Sequence, residues 1–532
     1  MNIEDKKPEG IAAWNLILRV VAFIVVVDNQ AFFNRVMDIY PQNWLNLAFL
    51  VSLSFVFTGA TLLIVMPFSM RLITKHVLIF LLITSSLIAY FQNNYGIVID
   101  ITMIQNIIAT NPHEAMDLFH WKLLLYLLFL GLVPSYYVAR TRLRSQPLKA
   151  DLFHLLKFGS VSLLIIILLI VSFSKHYASF FREHKSVRSY ANPTFPAYSM
   201  FKFVAETFKT NPREHEAFVL DAQIPENDED RELIIFVVGE TARADRFSLN
   251  GYGRETNPVL SEKDVISFSD VHSCGTSTAH SVPCIFSPQG RSDFKNNGKE
   301  ANLIDFLIDA GVQVLWRDNN SNQKITGRGA VYQDYRDPEV NTICDIECRD
   351  EGMLVGLEDY IESHPEGDIF IVLHQMGNHG PAYYKRYPPE FEVFSPVCRT
   401  NQLENCSKEE IDNAYDNAIL YTDYFLGRVI DFLDPYSDRF ETAMVYFSDH
   451  GESLGEHNVY LHGLPYFMAP EAQKQVPAIM WFGESFHIDQ NHLRRNAGEP
   501  YSHDHIFHTL MGLMEVGSTI YDPSMDIRLH GN

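Results

Sequence analysis

No cysteine precedes Cys274, so the first half of this 532-residue chain carries no thiol. The six that exist are Cys274, Cys284, Cys344, Cys348, Cys398 and Cys406. An even number confined to one part of a chain suggests disulfides formed in an oxidising compartment. No CxxC pair occurs among them, which argues against a cysteine-rich zinc site. Six cysteines allow 15 pairings, and joining neighbours (274–284, 344–348 and 398–406) is the simplest. Basic charge is scarce in the same part. Residues 1–190 hold 16 Lys+Arg against 10 Asp+Glu, a net +6; removing this from −23 for the whole leaves −29 on residues 191–532. The average composition therefore hides a basic, apolar part and an acidic, soluble-looking one.

The first part lacks long polar stretches. Its apolar segments cover residues 11–27, 45–68, 72–91, 121–139 and 152–173. Most approach the roughly 20 residues that cross a bilayer as a helix. A cleaved signal peptide cannot explain five such segments, and residues 163–171 (LLIIILLIV) have no polar face to show to water. Lys75 and His76 make the third the least apolar. Lys6 and Lys7, then Arg71 and Lys75, then Arg140, Arg142, Arg144 and Lys149 fall in alternate connections. With those connections facing the cytoplasm, five crossings alternate and everything after residue 173 lies outside. The expected organisation is a transmembrane domain (1–173), membrane-proximal helices and an acidic linker (174–231), and a catalytic domain (232–532).

In the last region short apolar runs recur at 233–238, 312–316, 369–373, 444–447 and 476–481, with helical stretches such as 301–310 and 411–433 between them. Buried strands alternating with helices predict an α/β fold with a mostly parallel sheet covered on both faces. The run at 444–447 leads straight into Asp449 and His450, a carboxylate and an imidazole where α/β folds build their sites. Gly451 behind them is expected to allow a sharp turn. The run at 233–238 ends at Glu240, which alone fits a helix cap as well as a metal ligand. Between Cys274 and Cys284 lies Gly-Thr-Ser-Thr-Ala-His, a loop leading to a short helix, whose amides suit phosphate oxygens. Metal coordination can activate a hydroxyl there, and composition leaves Thr276, Ser277 and Thr278 all open. His379 and His462, each next to glycine, are further candidates.

GETAR, CGTSTAHSVPC, WRDNNS, GNHGP and SDHGESLGEH, in that order behind the apolar segments, resemble the phosphoethanolamine transferases, and among them the lipid A enzymes of polymyxin (colistin) resistance. That family belongs to the alkaline phosphatase and sulfatase superfamily. The resemblance implies a Zn2+ site of Glu240, Thr278, Asp449 and His450 with Thr278 as nucleophile. It implies a second zinc or the substrate phosphate at His379 and His462. Asn320, Ser321 and Lys324 match positions for the phosphoethanolamine group and acceptor; Asn106, Thr110 and Glu114 match donor-lipid positions. Phosphatidylethanolamine is then the donor and lipid A of lipopolysaccharide the acceptor, at the inner membrane of a Gram-negative bacterium with the catalytic domain in the periplasm. A related transferase acting on a core sugar (Kdo or heptose), or using glycerol phosphate, is the alternative. A sulfatase nucleophile segment would read Cys-x-Pro-x-Arg, and Cys274 is followed by Gly-Thr-Ser-Thr instead. No nucleic-acid partner is expected, and a monomer is. There are departures from the family: Cys344 and Cys348 enclose a shorter loop than its middle disulfide, and His280 stands at a position it varies.

Overall fold

The computed structural model describes residues 10–68, 71–110, 115–116, 118–144, 148–209, 220–225, 228, 230–295, 300–320 and 329–530. The chain forms two compact units, residues 1–104 with 119–205, and residues 105–118 with 206–532.

In the first unit four described helices are long and apolar enough to cross a membrane: Trp44–Phe68, Ile73–Tyr95, Trp121–Arg140 and Phe153–Ser172. The first apolar segment folds differently from a plain span. Ala13–Val27 is a 15-residue helix followed, after a 54° bend, by Gln30–Ile39. At about 1.5 Å per residue the first piece is shorter than the roughly 30 Å hydrocarbon core, so a fifth span needs the bent pair counted as one. A side chain holds the bend. Asn29 donates its side-chain amide to the carbonyls of Ile24 (3.0 Å), which also accepts the Asp28 N–H, and of Asn192 (2.7 Å). Phe153–Ser172 leaves Leu163, Leu164, Ile165, Ile167 and Leu168 exposed, an apolar surface suited to lipid.

Among the described residues the second unit has eleven strands: β1 Glu232–Gly239, β2 Ile266–Phe268, β3 Val271–His272, β4 Gln313–Asp318, β5 Val331–Asp334, β6 Ile369–His374, β7 Glu441–Ser448, β8 Ser453–Leu454, β9 Tyr460–Leu461, β10 Ala478–Phe482 and β11 Tyr501–Ser502. Seven form one sheet in the order β2-β10-β7-β1-β6-β4-β5. β7, β1, β6, β4 and β5 run parallel, and β10 runs antiparallel to both β7 and the edge strand β2. Every residue of β1, β6 and β7 is buried, as continuous Ile, Val and Phe runs require when both faces are covered. One face packs Phe236, Val372 and Val445 with Phe286, Leu307 and Leu510. Lys408–Leu433 is a largely buried helix opened by a capping box, Ser407 with Glu410. Three disulfides join Cys274–Cys284, Cys344–Cys348 and Cys398–Cys406.

β1 lies between β6 and β7, and the chain leaves it in a direction set by both neighbours. The carboxyl ends of these three strands therefore frame a crevice, the place where such sheets bind ligands.

Candidate active site

Glu240 follows β1, and Asp449 and His450 follow β7; all three are buried. Their ligand atoms lie within 4.8 Å of one another. Thr278 is the first residue of the helix Thr278–Ile285, with Ser277 as its extended N-cap. The Thr278 hydroxyl lies 3.0 Å from Glu240 Oε2, to which it donates, and 3.2 Å from His450 Nε2. Its neighbours are used otherwise: the Thr276 hydroxyl donates to the Leu464 carbonyl at 2.6 Å, and Ser277 makes no side-chain cap. The structure thus brings one of the three open hydroxyls to the acids.

Each ligand is oriented from behind. His450 Nδ1–H donates to the Gly451 carbonyl at 2.9 Å, which leaves Nε2 with its lone pair facing Thr278. Asp449 Oδ1 accepts the backbone N–H groups of Thr241 (3.1 Å) and His450 (2.7 Å). Glu240 accepts from the Thr241 hydroxyl and, at 2.7 Å, from the Asn320 amide, which also donates to the Gln375 carbonyl at 2.8 Å. Thr241 itself stands at φ 58°, a strained value for a β-branched residue, held by the Tyr415 hydroxyl on its carbonyl at 2.7 Å. Gly451 matters for space and not for a left-handed turn. A Cβ there would lie 2.1 Å from the Ala472 carbonyl oxygen, while the residue is absent from those with positive φ.

The electrostatics ask for a cation. Burial pushes His450 down to about 3, so its imidazole is neutral and free to coordinate. Burial and then the Glu240 charge push the Asp449 carboxyl well above its ordinary range. Asp449 Oδ2 is buried and receives no hydrogen bond among the described residues. Two carboxylates, one neutral imidazole and a hydroxyl, with one carboxylate oxygen left without a donor, fit a tetrahedral divalent metal.

The other expected residues divide. His462 packs on His450 with ring centroids 4.4 Å apart, and on His379 at 5.7 Å, so both histidines join the group. Buried Glu452 accepts from His462 Nδ1 at 2.8 Å and from the Tyr383 hydroxyl at 2.6 Å. Ser321, Lys324 and Glu114 lie outside the described residues. Asn106 is on the helix Ile101–Ala109, and Thr110 donates back to its carbonyl at 2.8 Å; no described hydrogen bond links either to Thr278. His280 points its ring edge at Phe294, 5.5 Å between centroids. Thr241, Tyr415 and Glu452 were not singled out from the sequence. Glu452 alone had a signal, a carboxylate two residues beyond His450.

A mostly parallel α/β sheet, with a hydroxyl at a helix start and a trio at two strand ends that could hold a metal, defines the sulfatase class of domain. The family description Sulfatase matches residues 232–516, and Phosphoethanolamine transferase EptA/EptB matches residues 57–208. The chain is 43% identical over 512 residues to Phosphatidylethanolamine transferase Mcr-2 of Escherichia coli, covering 93% of this chain and 94% of the relative. It is 36% identical over 548 residues to Phosphoethanolamine transferase EptA of E. coli K12, covering 98% and 97%. Among solved structures, the integral membrane protein lipooligosaccharide phosphoethanolamine transferase A from Neisseria meningitidis superposes with a TM-score of 0.90 at 31% identity, covering 98% of each chain. The chain belongs to the phosphoethanolamine transferase family, as an integral membrane member of it.

Proposed function

We propose that this protein moves phosphoethanolamine from phosphatidylethanolamine to a phosphate of lipid A, through a covalent intermediate on Thr278, at the bacterial inner membrane with its catalytic unit in the periplasm. The observation that carries this reading is the Thr278 hydroxyl, seated at a helix start and within 3.2 Å of both Glu240 Oε2 and His450 Nε2. The full-length likeness to transferases of this name supports the donor. Three disulfides support an oxidising compartment.

Glu240, Asp449, His450 and the Thr278 oxygen would hold a zinc ion. Bound there, zinc would lower the pKa of the threonine hydroxyl and offset charge on the phosphoryl oxygens. Glu240 Oε2 is placed to take the hydroxyl proton as the Thr278 oxygen attacks phosphorus. The new bond is Oγ–P, the bond that breaks joins phosphorus to diacylglycerol, and the leaving oxygen takes a proton. An oxygen of the lipid A phosphate then attacks the same phosphorus and Thr278 leaves with its hydroxyl restored. His379 and His462 would face the substrate phosphate or a second zinc. His462 keeps its orientation through Glu452. Asn320 fixes Glu240 through its side-chain amide. The product carries an added ammonium, which weakens attraction for cationic peptides such as polymyxin.

Thr278→Ala should lower transfer by at least about a thousandfold in folded, inserted protein. Full activity in that variant would rule out the assignment. Mass analysis of lipid A and core from cells with and without the gene reads the acceptor. Phosphoethanolamine on a core sugar would instead favour the activity named for a relative 30% identical over 309 residues, Kdo(2)-lipid A phosphoethanolamine 7''-transferase of Salmonella typhimurium.

A further inference from the structure

Two chain segments far apart in sequence must be held in register for Thr278 to meet Asp449 and His450. The disulfide Cys274–Cys284 closes the nucleophile loop on its own helix and reaches neither acid. The tie comes from the end of the chain. β11 pairs in parallel with β3, Tyr501 opposite Val271 and Ser502 opposite His272. One residue further along, His503 falls beside the start of the loop. Its Nδ1 accepts the Cys274 N–H at 3.1 Å, and its Nε2 donates to the Ser448 carbonyl at 3.0 Å. Because an N–H can only donate and a carbonyl only accept, the ring is fixed as the neutral Nε2–H tautomer. Ser448 is the last residue of β7, and its hydroxyl accepts from Ala242 N–H at 2.8 Å and donates to the His450 carbonyl at 3.0 Å.

We propose that His503 is a positioning residue for phosphoryl transfer, bridging the loop that carries Thr278 to the strand end that carries Asp449 and His450. The inference rests on the reading of Thr278 as nucleophile. The ring is 1% exposed, and burial holds its pKa down to about 3, so the bridge survives across the neutral range. Both of its hydrogen-bond partners are backbone groups, so the bonds it makes tie one backbone to the other.

The experiment compares His503→Phe, His503→Asn and His503→Gln in the detergent-solubilised full chain with a fluorescent phosphatidylethanolamine. The Phe variant, which keeps volume and loses both bonds, should lose about 10–100-fold in kcat with KM within twofold, since small misplacements of reacting groups cost rates of that order. His503→Asn, whose amide oxygen sits near the Nδ1 position, should recover part of the loss. A residue of purely structural value would lower Tm and leave kcat of the folded fraction intact. A folded Phe variant with kcat within threefold of wild type, or a kcat loss matched by a rise in KM, overturns the proposal. If the Phe variant does not fold, Asn and Gln decide: wild-type kcat in both, or failure of all three to fold, overturns it. Thr278→Ala run alongside separates the outcomes, because activity there would defeat the nucleophile reading whatever His503 does.

Discussion

The two ends of the same sheet both crowd buried carboxylates, yet only one end is equipped for chemistry. At the amino ends, Glu232 opens β1 and Glu441 opens β7 in direct register, with Asp368 just ahead of β6. Both Glu232 oxygens are buried without a hydrogen bond from any described donor. The near guanidinium, Arg231, is spent on the carbonyls of Gly367 and His364. Asp368 is itself a carboxylate, so it can pair with Glu232 only through a proton. Burial and then Asp368 accordingly carry Glu232 up to about 9. At the carboxyl ends Asp449 is raised too, but its surroundings differ. Two backbone N–H groups fix one oxygen, the other faces a neutral imidazole and a hydroxyl, and that imidazole is locked from behind. The amino end has an imidazole as well, His487 on Glu441, but that ring is 79% exposed, whereas the His450 ring is buried and locked from behind. Buried acids beside a buried, oriented lone-pair donor make the better cation receptor.

Asp449→Asn puts the greatest strain on that comparison, because it converts the receptor into something like the other end. Zinc content, read by elemental mass spectrometry, should fall with affinity down about 100-fold or more, and transfer should fall with it. Metal-free protein should at the same time melt no lower than wild type, since burial and the Glu240 charge already favour the uncharged Asp449 acid, which the amide imitates. Full zinc occupancy in this variant would show that the trio is not the receptor. Gly451→Ala tests the locking from behind. Its new Cβ meets the Ala472 carbonyl and must displace the strand end that orients His450, at a cost of about 1–3 kcal/mol. Zinc affinity should drop by about tenfold to a hundredfold in protein that still folds. Unchanged affinity would mean that the Gly451 carbonyl does not set the imidazole.

How much of this could be read beforehand follows the same division between local and distant causes. The strands of β1, β6 and β7 were legible because burial on both faces leaves continuous apolar runs, and Glu240, Asp449 and His450 because each directly follows one. Thr278 was one of three hydroxyls until the fold turned it toward Glu240, and only the family resemblance separated them from sequence. Short edge strands such as β2 and β5 carry too few residues to show a period. The first apolar segment, 11–27, was expected to span by itself; it forms the unbroken helix Ala13–Val27, and the bend that follows it is held by Asn29 on Asn192, a partner more than 160 residues away. Thr241 and His503 were invisible for the same reason. A single threonine or histidine has no pattern, and its meaning comes entirely from what the fold places beside it.

The amino end offers the gentlest test, since nothing there should touch catalysis. Glu232 has its folded value raised from 4.5 to about 9, so between those pH values the folded chain keeps a proton that the unfolded chain has released. Stability from this group is therefore whole below about pH 4.5 and declines as pH rises toward 9. Glu232→Gln imitates the protonated acid and should leave Tm near pH 5 within a degree or two, about what half a kcal/mol gives in a domain this size. By pH 9 the variant should melt higher than wild type, with transfer unaltered and no response to added calcium or zinc. Equal pH slopes in the two proteins would remove the shared proton. A Gln variant that had lost a metal-dependent rise in Tm would make this end a receptor after all, and the contrast between the two ends would have to rest on the burial and fixed orientation of His450 against the exposed His487.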